Sequence, residues 1–253
     1  MKDWLAPTLF GLLVLALWQG GVIAFHVPAY LLPGPIAIVE AFLAAPRLLL
    51  GSLLATLAVT LAALIAAAVL GVAMALLMVL SRWARAAIQP WAVVLQVTPI
   101  VAIAPLIIVL VGNPFASLVV CATIVAFFPV FANTAAGLET VPTELLDLFR
   151  LYGASRAQIL WRLRVPAAIP YFLAGLRISG GLALVGAVVA EFVAGSGGFA
   201  SGLAYRILEA GYRLEIPRMF AALVLLAVTG IAINTALATL ARTVDAGGGS
   251  GGV

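Results

Sequence analysis

The stretch Ala86–Leu138, AAIQPWAVVLQVTPIVAIAPLIIVLVGNPFASLVVCATIVAFFPVFANTAAGL, runs for 53 residues without an Asp, Glu, Lys or Arg. A bilayer core about 30 Å thick takes roughly 20 apolar residues per helical crossing. The stretch is therefore too long for one crossing and too apolar for water. Gly112-Asn113-Pro114 near its middle is a turn signal, and it divides the stretch into spans at about Trp91–Val111 and Ser117–Ala136. This pair of crossings sets the fold class, and the rest of the chain repeats the pattern.

Outward on the N-terminal side, Leu48 to Ser81 is also uncharged and predicts a span around Leu53–Leu80. No charge falls between Asp3 and Glu40, where Trp4–Phe25 is long enough to cross. It lacks a small-residue cleavage site followed by a polar mature region, so it reads as a retained span and not a signal peptide. On the C-terminal side, spans are expected at about Ile169–Val193 and Met219–Leu240. The expectation is an all-α, polytopic membrane protein with six transmembrane helices. Residues 1–246 form one transmembrane domain, and 247–253 are a linker-like Gly/Ser tail.

Composition agrees. Of 253 residues, 65% are hydrophobic and 9% charged, with a mean hydropathy of +1.26, against about 25% charged in soluble proteins. There is too little polar surface for a soluble enzyme, a disordered tail or a disulfide scaffold. Cys121 is the only cysteine and can form no internal disulfide. With six spans both termini share a side, which collects Lys2, Arg82, Arg85, Arg150, Arg156, Arg162, Arg164 and Arg242. The other side holds Arg47, Arg206, Arg213 and Arg218. Eight cations against four place both termini in the cytoplasm by the positive-inside rule. The net charge of +4 thus reflects topology, not nucleic-acid binding.

Two connections are more than linkers. Residues 26–50 carry Pro28, Pro33, Pro35 and Pro46 around a short amphipathic stretch, Ile36–Phe42. The cytoplasmic connection from Gly137 to Pro166 holds seven charges. Leu145, Leu148, Leu151 and Tyr152 recur there at helical spacing, Gly153 interrupts, and a second helical stretch, Ser155–Leu163, is expected to end before Pro166. Two short helices meeting at a glycine make a knuckle.

Catalytic chemistry finds no footing. His26 is the only histidine, so a zinc site lacks its second imidazole. Lys2 is the only lysine and has no glycine-rich loop, so no phosphate-binding loop can form. Gly195-Ser196-Gly197 resembles a nucleophile turn but reads more simply as a glycine loop at a helix end. Arg177 and Glu191 are the charges inside a span, 14 residues apart and so about 21 Å along the helix. They cannot pair. Arg177 either snorkels to headgroups or pairs within the bundle, and Glu191 is either solvated or bonded to the glycine loop. No charge ladder for a proton-driven carrier is present.

At the knuckle, Asp147-Leu148-Phe149, Gly153 and Leu163-Arg164-Val165-Pro166 stand in the register of the Glu-Ala-Ala…Gly…Ile-x-Leu-Pro signature. The chain thereby resembles the inner-membrane permeases of bacterial ABC importers, in their binding-protein-dependent, nitrate/sulfonate/taurine-like branch. Leu32-Pro33-Gly34-Pro35, Ser81-Arg82, Pro90, Thr98 to Leu106, Phe127-Phe128-Pro129, Asn133-Thr134, Gly137-Leu138, Gly175-Leu176-Arg177 and Ala190-Glu191 are similar to that branch as well. Aspartate replaces the usual glutamate at 147, Phe149 replaces a small residue and needs a recess, and the branch's basic, tryptophan-ended tail is missing after Arg242.

The resemblance implies a type I importer-permease fold and a non-enzymatic subunit of an ATP-driven importer. It further implies a second permease copy, cytoplasmic ABC ATPases that carry ATP and Mg2+, and a periplasmic substrate-binding protein. No cofactor is expected on this chain. Asp147, Arg150, Gly153, Ala154, Ser155, Arg156 and Pro166 are the expected ATPase-coupling residues, and Pro99, Pro105, Asn133, Arg177 and Glu191 the translocation or gating candidates. The outer arginines Arg47, Arg206, Arg213 and Arg218 suit either a small anion such as nitrate, a sulfonate or a carboxylate, or an acidic rim on the binding protein. The competing expectation is a secondary carrier or small-solute channel that needs no ATPase.

Overall fold

A computed structural model describes residues 5–195 and 201–248, with side chains up to 244. Every regular element among the described residues is helical: α1 Leu5–Ala24, α2 Pro35–Ala44, α3 Pro46–Leu80, α4 Arg82–Val97, α5 Ile100–Val111, α6 Pro114–Glu139, α7 Thr143–Leu151, α8 Arg156–Ile159, a π-helical turn Leu160–Arg164, α9 Val165–Ala194, α10 Leu203–Tyr212 and α11 Ile216–Gly248. Five helical segments are each long and apolar enough to cross a bilayer, and α4 with α5 makes a sixth if the pair counts as one.

That pair corrects the expected span at Trp91–Val111, which is not one straight helix. The chain bends by 105° at Thr98-Pro99. Proline restricts the residue before it to extended backbone, and Thr98 sits at φ −72°, ψ 122°. Pro99 then caps α5. Pro90, Pro105, Pro129 and Pro170 lie inside helices without such a break.

The second correction concerns Pro166, where the knuckle's second helix was expected to stop. Instead helix runs from Arg156 to Ala194. Proline offers no N–H and its ring crowds the carbonyl four residues back. The π turn at Leu160–Arg164 widens the backbone just before it, so the helix passes through.

The chain forms two compact units. In the first, Met1–Thr56 with Gly195–Val228, Ile38, Leu49, Leu203, Ala221 and Ala222 make the core. Trp18 of α1 lies 6.4 Å from Phe220, ring to ring. The Gln19 side-chain oxygen accepts the Ile36 amide at 3.2 Å, holding the start of α2. Thr56 Oγ1 accepts the Leu203 amide at 2.8 Å, so α10 begins on a side chain borrowed from α3. No residue of α1 is buried, as suits a helix facing acyl chains.

In the second unit, Leu57–Ala194 with the chain from Thr229, α6 and α9 lie closest. Glycine makes the approach possible: a Cβ on Gly175 would stand 2.6 Å from the Pro129 carbonyl oxygen, and one on Gly186 2.9 Å from Ala122 Cα. Ser179 Oγ crosses the same seam to donate to the Ala126 carbonyl at 2.6 Å. Small side chains that let helices touch are the usual cement in lipid, where burial alone drives little association. Cys121 lies fully buried among Val59, Ala63, Ala122 and Ala187.

Candidate functional site

The connection after α6 builds the knuckle by local rules. Pro142 precedes α7, Glu144 stands in its first turn and Arg150 in its last, matching the helix dipole at both ends. Gly153 closes α7 in the left-handed region at φ +72°. Its amide donates to the Arg150 carbonyl at 2.9 Å, and the Ala154 amide reaches the Phe149 carbonyl at 2.9 Å. This 5→2 and 6→1 pattern is the Schellman ending, which favours glycine at that position. Two residues on, Ser155 opens α8 with a full capping box. Its Oγ accepts the Gln158 amide at 3.3 Å, while the Gln158 side chain accepts the Ser155 amide at 2.7 Å.

The knuckle is thus a helix stop and a helix start with Gly153 and Ala154 between the two caps. Asp147, Arg150, Gly153, Ala154, Ser155 and Arg156 fall within it, while Pro166 stands beyond the π turn inside α9. Asp147 Oδ1 accepts from Arg150 Nη1 at 2.9 Å, with both side chains exposed. Such a pair contributes at most about 1 kcal/mol, so its carboxylate and guanidinium can be exchanged for a partner's. Leu151 and Tyr152 at the tip are each 85% exposed. Phe149 is only partly covered and itself lines an open recess of about 350 Å³ together with Leu148, Tyr152, Gly153, Gln158 and Arg162. At the base of the connection, Arg85 in the first turn of α4 pairs with Glu139 at the end of α6.

The candidates within the spans do not form one constellation. Pro99 caps α5 and Pro105 lies inside it. Asn133 Nδ2 donates to the Pro129 carbonyl one turn back at 2.8 Å. Arg177 Nε donates to Asn234 Oδ1 of α11 at 3.0 Å, so the pairing alternative holds. Glu191 is buried at 4% exposure and makes polar contacts, which removes the solvated reading. Ser196 and Gly197 of the glycine loop lie outside the described residues. Asn234 was missed by sequence reasoning; a lone amide in the last apolar span was the available signal.

Three of the four outer arginines, all but Arg47, are engaged at home. Arg206 Nη1 lies 2.6 Å from Glu209 and Arg213 3.0 Å from the same carboxylate. Arg218 lies 2.5 Å from Glu215. Arg206 also donates to Ser52 Oγ at 3.0 Å. The contacts of Arg206 and Arg213 hold α10 and its end together and tie it to α3, while Arg218 and Glu215 pair at the start of α11.

A bundle of long apolar helices with a glycine-hinged helical knuckle between two of its spans defines a class, the permease subunits of ABC importers. Residues 67–247 match the family described as "Binding-protein-dependent transport system inner membrane component", and the chain belongs to that family. It is 35% identical over 233 residues to the riboflavin transport system permease protein of Chloroflexus aurantiacus, covering 91% of this chain and 85% of that one. It is 31% identical over 231 residues to the putative aliphatic sulfonates transport permease protein of Bacillus subtilis, covering 90% and 82%. Among solved structures, an inward-facing form of the MetNI methionine ABC transporter superposes with a TM-score of 0.67 at 21% identity, covering 79% of this chain and 98% of that one. That last likeness is one of fold. The chain is a multi-pass membrane permease of an ABC importer, a non-enzymatic component whose partners include an ATPase and a binding protein.

Proposed function

We propose that two copies of this chain form the translocation unit, with both termini in the cytoplasm of a bacterial inner membrane and with Gly137–Pro166 seated on the ATPase. The observation that carries the reading is the knuckle. It is shaped entirely by local bonds, from the Gly153 Schellman ending to the Ser155–Gln158 box, and it exposes Leu151 and Tyr152. A preformed short helix that presents an apolar edge is suited to a groove on a soluble partner. Asp147, Arg150, Ala154 and Arg156 supply polar contacts around that edge, and Pro166 continues the knuckle into α9 without a flexible joint. In this scheme ATP and Mg2+ stay on the ATPase. Closure of two ATPases moves the knuckles, and each α9 carries the motion into its bundle. Pro99, Pro105, Asn133, Arg177 and Glu191 are proposed to shape the helices that move.

The substrate is a small solute delivered by the binding protein. Nitrate, sulfonates and taurine fit the branch the sequence resembles, and relatives are named for aliphatic sulfonates and for riboflavin. The outer arginines argue less for an anion than their number suggests, because Arg206 and Arg213 share Glu209 and Arg218 holds Glu215, which leaves Arg47 and one surplus positive charge. The test is solute uptake by vesicles holding this chain, with and without its ATPase and binding protein. Uptake that needs both and ATP supports the importer. Uptake by the chain alone would promote the carrier or channel.

A further inference from the structure

Beside the recess of Phe149 the knuckle encloses a second one of about 450 Å³, lined by Arg150, Arg156 and Arg164 with Leu80, Leu146 and Leu160. Three arginines line one space. Arg150 has Asp147 as partner. Among the described residues, neither the Arg156 nor the Arg164 side chain has an ion pair or a hydrogen bond, and Arg164 is only partly exposed. Local carboxylates are scarce, since Glu144 and Asp147 are the only acids between Glu139 and Glu191. Arginines gathered without a carboxylate of their own favour an anion in the same space.

The position of the recess says which kind of anion. Leu80 is the last residue of α3, and Arg164 immediately precedes α9. Both helices are of membrane-crossing length, so their adjoining ends mark the level of the lipid headgroups. Trp83 and Trp161, 75% and 62% exposed, stand on neighbouring turns, and tryptophan is enriched at that level. Guanidinium groups bind phosphate through paired N–H donors, and basic pockets between membrane helices take phospholipid headgroups. We propose that this recess is an anion site for a phosphate group, carried by an anionic phospholipid or by a soluble phosphate. The leucine wall gives a lipid's glycerol end an apolar surface; a soluble phosphate would use the arginines alone. The site shares Arg150, Ala154 and Arg156 with the ATPase contact proposed above, while Leu80, Leu160 and Arg164 lie outside that contact.

The test uses the full-length permease in micelles, without ATPase, and reads binding by native mass spectrometry and by the thermal unfolding midpoint. Dioleoylphosphatidylglycerol, dioleoylphosphatidylcholine and inorganic phosphate are titrated separately. The expected result is preferential retention of phosphatidylglycerol over phosphatidylcholine, with about tenfold weaker binding in Arg164→Gln and in Arg156→Gln, one charged hydrogen bond being worth about that factor. Arg162→Gln, which removes an equal charge from the other recess, should leave affinity unchanged. Phosphatidylglycerol binding that inorganic phosphate does not displace assigns the lipid source. Binding of inorganic phosphate with the same variant pattern assigns the soluble one. If Arg164→Gln does not elute as a folded species, exposed Arg156 carries the comparison. Equal losses in Arg162→Gln and Arg164→Gln, or no loss in either pocket variant, would overturn the site.

Discussion

Replacing Gly175 by alanine adds one methyl group where α6 and α9 touch. The new Cβ would lie 2.6 Å from the Pro129 carbonyl oxygen, 3.0 Å from Asn133 Cβ and 3.1 Å from Val130 Cα. The nearest neighbour is backbone and has no rotamer to change. To restore an ordinary 3.4 Å contact the two helices must part by about 0.8 Å. Overpacking of this kind costs about 1–3 kcal/mol, or roughly 2–12 °C in unfolding midpoint for a chain of this size. Gly181, a turn and a half along the same helix, has nothing within 4 Å of its notional Cβ. There alanine relieves the helix of a flexible residue and should stabilise it by about 0.5–1 kcal/mol. The assay is thermal unfolding of purified protein in detergent, read by retention of a monodisperse peak. The reasoning fails if Gly175→Ala is as stable as the parent, or if Gly181→Ala falls as far as Gly175→Ala.

Two further outcomes follow from the same geometry. Arg177→Lys should lower transport while assembly survives, because an ammonium on a flexible stem does not reproduce the Nε–H that reaches Asn234. Asn234→Ala should have a similar effect, and normal uptake in both would remove any transport role for the pair. For topology, a cysteine at Leu151 should resist a membrane-impermeant thiol reagent in intact cells while one at Tyr212 reacts; both positions are more than four-fifths exposed. Cys121→Ala provides the background, and labelling of residue 151 from outside would reverse the orientation.

The crossings and the knuckle were legible in the sequence because charge exclusion and glycine chemistry are local. A glycine between two helical stretches is a bend signal in itself, and the bonds around Gly153 are those a left-handed glycine makes. The break at Pro99 was not legible. Proline elsewhere in these helices, at Pro105 and Pro129, is carried without a turn, so its presence alone does not separate a kinked helix from a broken one. Pro166 misled in the opposite direction, since a π turn upstream absorbs it, and π turns leave no composition signal. The pairings of Arg177 with Asn234 and of Arg85 with Glu139 join residues 57 and 54 positions apart. Hydropathy along the chain carries nothing about which helices neighbour one another. The outer arginines show the same limit: counting cations suggested an anion path, and geometry gave each of three a carboxylate.

Coupling through the knuckle is measured most directly by a Gly153 series in vesicles reconstituted with the ATPase and binding protein, reading substrate-stimulated ATP hydrolysis. No atom lies within 4 Å of a Cβ at this position, so the series varies backbone conformation alone. Asparagine visits the left-handed region readily and alanine does so at about 1–2 kcal/mol, a shift of roughly 5–30-fold in the population of the native bend. Proline fixes φ near −65° and removes the amide that donates to Arg150. The account predicts stimulation falling in the order glycine, asparagine, alanine, proline, with insertion and dimer formation unchanged throughout. Full stimulation in Gly153→Pro would contradict it.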